Sequence, residues 1–169
     1  YSGGYEDTAI HVYHPNGTLA RYFDLADYIG IIEDMDIGQD GNLYIMSWDS
    51  VLVVSTTGEM LSDLEILLPG EWPYYYLGGI ALDDQGYMLV SIIFNDYYGP
   101  VWPSLIRKYS LNGTYISDLV TGGVVPDVWA DVYSKMYIDA EHNIYAVNWG
   151  MSKVQVFDQN GNLLREWGE

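Results

Sequence analysis

The sequence predicts an all-β domain built by repeating one four-stranded antiparallel sheet. Three observations carry that prediction. A short apolar run, a polar turn and a second apolar run recur at Met35–Met46, Ile80–Ser91 and Met136–Val147. A second hairpin pattern with a glycine in its turn recurs at Ile10–Ala20, Val51–Leu61, Ile106–Ile116 and Val154–Leu164. The turn glycines of that second pattern stand at 17, 58, 113 and 161, so the steps are 41, 55 and 48 residues. Two apolar runs split by a polar, glycine-containing turn read as a β-hairpin.

Each element follows in chain order. Two strands labelled c and d come first, over about Thr8–Asp24, around the turn Asn16-Gly17. Leu25–Glu33 could form one turn of helix, but it lies where a connector is expected. Three complete a-b-c-d sets then follow. Their a–b turns are centred on Gly41, Gly86 and His142. Asn-Gly stands at three of the four c–d turns, where a positive φ is needed. Alternation such as Val154 and Val156 against Gln155 has the period of a strand. The long step contains an insertion, Asn95–Ser104, between strands b and c of the second complete set. Four-stranded units repeating near this length are the signature of a β-propeller. The expected divisions are a half blade at 1–27, a blade at 28–70, a blade with the b–c insertion at 71–123 and a blade at 124–169.

The repeats resemble the NHL-repeat family of β-propellers. Ile138-Asp139, Asn143–Val147, Val154–Asp158, Gly161 and Trp167-Gly168 match its pattern well. Asp36–Ile45 with Gly58, and Ile80–Val90 with Gly113, follow it less closely. The resemblance covers residues 9–168 and implies a closed ring, usually of six blades. It leaves function open, because the family mixes enzymes, binding modules and scaffolds. Fourteen strands make only three and a half blades, so the missing blades are expected in a longer polypeptide or in another copy. The N-terminal Tyr1 is expected to mark a mature, processed or partial chain, since no initiator Met precedes it.

Composition narrows the partners. The chain of 169 residues has 24 acidic and 6 basic side chains, a formal charge of −18 and a pI near 4.1. Nucleic acid is excluded as a partner because phosphate recognition needs clustered cations. A hydrophobic content of 49% supplies a core that a disordered acidic tail lacks. With Cys 0, disulfides, thiolate metal sites and cysteine nucleophiles are excluded. No run of 18 apolar residues is present to span a bilayer as a helix.

The histidines, His11, His14 and His142, do not have metal-ligand spacing, and no catalytic motif is present. No catalytic, cofactor or metal residue is therefore expected, and no bound transition metal. Asp83 and Asp139 occupy equivalent positions at the end of strand a. The expected role is to accept backbone N–H bonds of their own turn. A calcium ligand ring is the alternative cofactor reading, and it would need six or more converging oxygens.

The aromatic side chains are the candidate ligand or partner surface: Trp48, Trp72, Tyr74, Tyr97, Tyr98, Trp102 and Trp149. Aromatic faces beside carboxylates suit sugars or a protein partner. Trp48 and Trp149 could instead pack between blades. Asn16-Gly-Thr18 and Asn112-Gly-Thr114 are glycosylation candidates on exposed c–d turns. Together these features predict an extracellular or cell-surface propeller that serves as an interaction or structural scaffold, with a surface assembly or fibre as one setting for it. A lyase- or lactonase-like enzyme with its site in absent blades, and a glycan-binding propeller, are the alternatives.

Overall fold

The computed structural model describes residues 8–66, 75–94, 104–121 and 133–168. Among the described residues it contains fourteen strands and no helix long and apolar enough to cross a membrane. Strands β1 (Ala9–Tyr13) and β2 (Leu19–Asp24) form a two-stranded ribbon, blade 1. Blade 2 is β3 (Asp34–Ile37), β4 (Leu43–Met46), β5 (Ser50–Val54) and β6 (Met60–Glu65). Blade 3 is β7 (Tyr75–Leu82), β8 (Tyr87–Phe94), β9 (Ser104–Ser110) and β10 (Tyr115–Thr121). Blade 4 is β11 (Tyr133–Ile138), β12 (Ile144–Asn148), β13 (Lys153–Phe157) and β14 (Leu163–Gly168). All neighbours pair antiparallel in sequence order. The insertion is shorter than its sequence limits suggest. Ser104 is buried and opens β9, so only residues 95–103 lie between the strands, and these are outside the described residues.

Inner strands are buried on both faces, so they read as continuous apolar runs. In β4, Leu43 and Ile45 join Leu52, Val54, Ile10, Leu25 and Ile29 in the core between blades 1 and 2. The alternate residues Tyr44 and Met46 join Val51, Val53, Ile80, Val90 and Ile92 between blades 2 and 3. Leu89, Ile106 and Val120 meet Tyr133, Ile144, Ala146 and Phe157 between blades 3 and 4. Each large aliphatic side chain so enclosed contributes about 1.5–3 kcal/mol. The connector after β2 does form one turn, with Ile29 N–H donating to Leu25 O at 3.0 Å. Both residues are buried, so the turn anchors the passage from blade 1 to blade 2.

Three of the four c–d turn glycines have a second role beyond their positive φ of 82–88°. A Cβ on Gly58 would lie 2.9 Å from Phe23 of β2, and one on Gly113 would lie 3.4 Å from Leu64 of β6. A Cβ on Gly161 would collide with the carbonyl of Leu119 in β10. Each turn is therefore seated against the outer strand of the blade before it. Gly17 has no such neighbour among the described residues.

The strands a lie side by side and run parallel. Asp34 and Asp36 of β3 accept from Ile80 N–H at 3.1 Å and from Leu82 N–H at 2.8 Å. They thereby occupy donors on the edge of β7 that no strand pairs. On its other side, Gly78 and Gly79 let β7 approach the backbone of Tyr133 and Ser134 in β11. In blade 3, Arg107 faces Asp118 across β9 and β10, with Nε–Oδ1 at 2.5 Å and Nη2–Oδ2 at 3.1 Å.

Candidate functional site

In this topology the b–c loops share one end of the sheets, and the a–b and c–d turns share the other. The parallel strands a keep that polarity the same from blade to blade. Trp48, between β4 and β5, and Trp149, between β12 and β13, therefore project at the same end. Their exposures are 57% and 48%. Trp48 therefore does not fill the wedge between blades 2 and 3, which was the packing alternative, whereas Trp149 stands on blade 4, which no further blade follows among the described residues.

The Trp48 loop is held by backbone bonds. Ser47 N–H donates to Ser50 O at 2.9 Å, Leu77 N–H donates to Trp48 O at 3.2 Å, and Ile66 N–H donates to Asp49 O at 3.2 Å. Trp48 and Asp49 line a cleft of about 270 Å³ with Gly30, Ile31 and Ser47. The Asp49 carboxylate belongs to a negative neighbourhood. Burial, then the charges of Asp49 and Glu65, push the Tyr75 hydroxyl above its ordinary pKa. That hydroxyl donates to Ile66 O at 3.0 Å. The cleft thus joins an indole face, a carboxylate acceptor and backbone polar groups, a combination suited to a neutral polyhydroxylated or polar ligand.

The Trp149 loop is supported by a side-chain network. Asn148 is fully buried; it accepts from Met151 N–H at 3.2 Å and donates to Gln155 Oε1 at 3.0 Å. Gln155 in turn donates to Glu166 Oε2 at 3.0 Å, and Glu166 is also paired with Lys153. The bonds from Lys153 and then Gln155 lower the Glu166 pKa. Ser152 takes φ 55° to close the turn. Sequence reasoning missed Asn148, Gln155 and Glu166. The one signal was an amide residue ending an otherwise apolar strand b.

The other expectations fall as follows. Trp72, Tyr74, Tyr97, Tyr98 and Trp102 lie outside the described residues. Asn16 and Asn112 are exposed on the c–d turns, at the end opposite the tryptophans. Asp83 Oδ1 accepts from Gln85 and Tyr87 N–H, and Asp139 Oδ1 from Glu141 and Asn143 N–H, the turn-closing role expected. His11 stacks on Tyr13 and Tyr22, while His142, at φ 62°, places Nδ1 3.3 Å from Asp84 of the neighbouring blade. Among the described residues, no three His, Asp or Glu side chains group as a metal site.

No family model and no curated protein matches the chain. Solved structures do. Virginiamycin B lyase from Staphylococcus aureus is 14% identical, with a TM-score of 0.59 over 96% of this chain and 49% of its own. A gluconolactonase from Xanthomonas campestris is 16% identical, with a TM-score of 0.57 over 95% of this chain and 55% of its own. An auxiliary nutrient binding protein from Bacteroides ovatus is 13% identical, with a TM-score of 0.51 over 95% of this chain and 38% of its own. These likenesses establish the propeller fold, and the chain spans about half the length of the first structures it matches.

Proposed function

We propose that the chain is part of an extracellular or cell-surface β-propeller that acts as a binding module and scaffold rather than as an enzyme. The observation that supports this most is the exposed Trp48 ring, fixed beside Asp49 over a cleft on a backbone-pinned loop. Trp149 is a second exposed indole at the same end, on blade 4, with Gly150 where blade 2 has Asp49. Exposed indoles on rigid turns lose little conformational entropy on binding. The excess of acidic residues keeps such a surface soluble and self-repelling. A carbohydrate is the ligand that the Trp48–Asp49 pair suits best. The test is titration calorimetry with neutral oligosaccharides on the wild type, Trp48→Ala and Trp149→Ala. Loss of binding at unchanged melting temperature supports the reading. Turnover of a lactone or cyclic depsipeptide, insensitive to both substitutions, would favour an enzyme.

The scaffold is a ring completed by further blades of one longer polypeptide, with blade divisions at 1–27, 28–70, 71–123 and 124–169. The far face of blade 4 supports this. Tyr145, Val147 and Val154 stand at the register positions of Tyr44, Met46 and Val51, which are buried between blades 2 and 3. On blade 4, Val147 is 39% exposed beside Tyr137 at 66% and Trp167 at 48%. An apolar row of that kind is built to be covered. The isolated segment should therefore melt broadly or associate. A sharp, reversible, monomeric transition would overturn the ring reading and leave the binding reading intact.

A further inference from the structure

The four c–d turns share one backbone. In each, the glycine N–H donates to the carbonyl three residues before it: Gly17 to His14, Gly58 to Ser55, Gly113 to Ser110 and Gly161 to Asp158. A second bond closes each turn, as from His14 N–H to Thr18 O and from Ser110 N–H to Thr114 O, both at 2.9 Å. Two of the four carry Asn-Gly-Thr, and in both the side chains adopt the same arrangement. Thr18 Oγ1 donates to Asn16 Oδ1 at 2.7 Å, and Thr18 N–H donates to the same oxygen at 3.0 Å. Thr114 Oγ1 donates to Asn112 Oδ1 at 2.9 Å, and Ser110 Oγ donates to it at 2.5 Å. The amide oxygen is occupied in each case, and both asparagines are exposed at the turn tip.

We propose that Asn16 and Asn112 are N-glycosylated in the folded protein, at turns whose hydroxyl-to-amide bond already holds the acceptor geometry. The donor would be a lipid-diphosphate-linked oligosaccharide. The Asn Nδ2 forms a bond to the anomeric carbon of the first sugar and loses a proton. The anomeric carbon–oxygen bond to the phosphate breaks, and the lipid diphosphate leaves with that electron pair. Access does not depend on how the ring is completed. Asn112 stays exposed even though Gly113 of its turn packs on the preceding blade, so Asn16 would stay exposed if a blade preceded it too. Both glycans leave from the end opposite Trp48 and Trp149, so the binding loops stay open. The blade 4 turn provides an internal contrast. Asn160-Gly161-Asn162 has the same backbone but no hydroxyl, and Asp158 caps it instead.

This inference rests on the extracellular part of the reading above and can fail separately from the binding part. The full chain is secreted from a glycosylating eukaryotic host and its intact mass is measured before and after peptide-N-glycosidase. Two glycans are expected, with Asn16→Gln and Asn112→Gln each removing one. Asn162→Thr should add a third. As a check on the folded state, purified unglycosylated chain is incubated with an oligosaccharyltransferase and the lipid-linked donor. Modification of the native chain at both turns supports the proposal. A mass equal to the bare polypeptide in both experiments, or modification only after denaturation, overturns it.

Discussion

The carboxylate of Asp34 and the ammonium of Lys135 meet at 3.0 Å, although β7 of blade 3 stands between their strands. The three strands a align so that Asp34, Gly79 and Lys135 occupy one register position. The middle blade contributes no side chain there, and the outer two reach each other. Lys135 Nζ also donates to Glu33 O at 2.6 Å. Asp34 should matter more than Lys135, because its other oxygen occupies Ile80 N–H while the Lys135 side chain is 54% exposed. Asp34→Ala is expected to cost about 1–3 kcal/mol, and Lys135→Ala less than about 1 kcal/mol. Urea unfolding of both and of the double variant measures this. Equal costs would show that the cap on Ile80 contributes nothing.

The turn glycines separate two effects that usually arrive together. Gly17→Ala meets the strain of φ 82° with no neighbour among the described residues, and should cost about 1–2 kcal/mol. Gly161→Ala has a similar φ but drives a methyl into Leu119 O, so about 3 kcal/mol or more is expected. Melting temperatures in one buffer decide it. Matching losses would mean that the seating of the turn on blade 3 is not rigid.

Arg107 grips Asp118 through two parallel bonds and lies 4.8 Å from the ring centre of Tyr115. Arg107→Lys keeps the charge but has no planar fork. The buried site should then lose about 1–3 kcal/mol despite the conservative change. Unfolding by denaturant, with Asp118→Asn as the partner variant, tests whether the loss belongs to the pair.

Acid should weaken the turns of blade 4. The side-chain bond from Asn143 leads the groups that hold Asp139 below the ordinary 3.8, and Asn162 does the same for Asp158. A carboxylate with a lowered folded-state pKa stabilises the fold above its unfolded value and loses that contribution as it is protonated. Stability should thus fall as the pH drops from about 5 to below 3.8. Asp139→Asn should flatten that fall, as followed by urea midpoints across the range. An unchanged slope would place the acid sensitivity elsewhere.

Much of the architecture was legible because it is periodic. Hairpin runs and turn glycines recur, so the strand order of the three four-stranded sheets could be read from spacing. His142, standing where other repeats have glycine, takes the same positive φ. The Asx roles of Asp83 and Asp139 followed from local geometry. What escaped was contact between repeats. Asp34 and Asp36 meet partners 46 residues away, and Lys135 meets Glu33 across 102. No local pattern encodes such pairs. The exposure of Trp48 and Trp149 was equally undecided, since a large ring at a loop can turn inward or outward. The buried Asn148–Gln155 link under Trp149 escaped because polar residues are ordinary near a turn until burial is known.

The seating of the c–d turns also limits where this protein can lengthen over evolutionary time. A residue added beside Gly58, Gly113 or Gly161 would have to displace the blade before it. The addition at 95–103 joins strands b and c, at the other end of the sheets. New specificity would therefore accumulate more readily at the tryptophan end, while the three seated c–d turns keep a fixed outline from one descendant to the next.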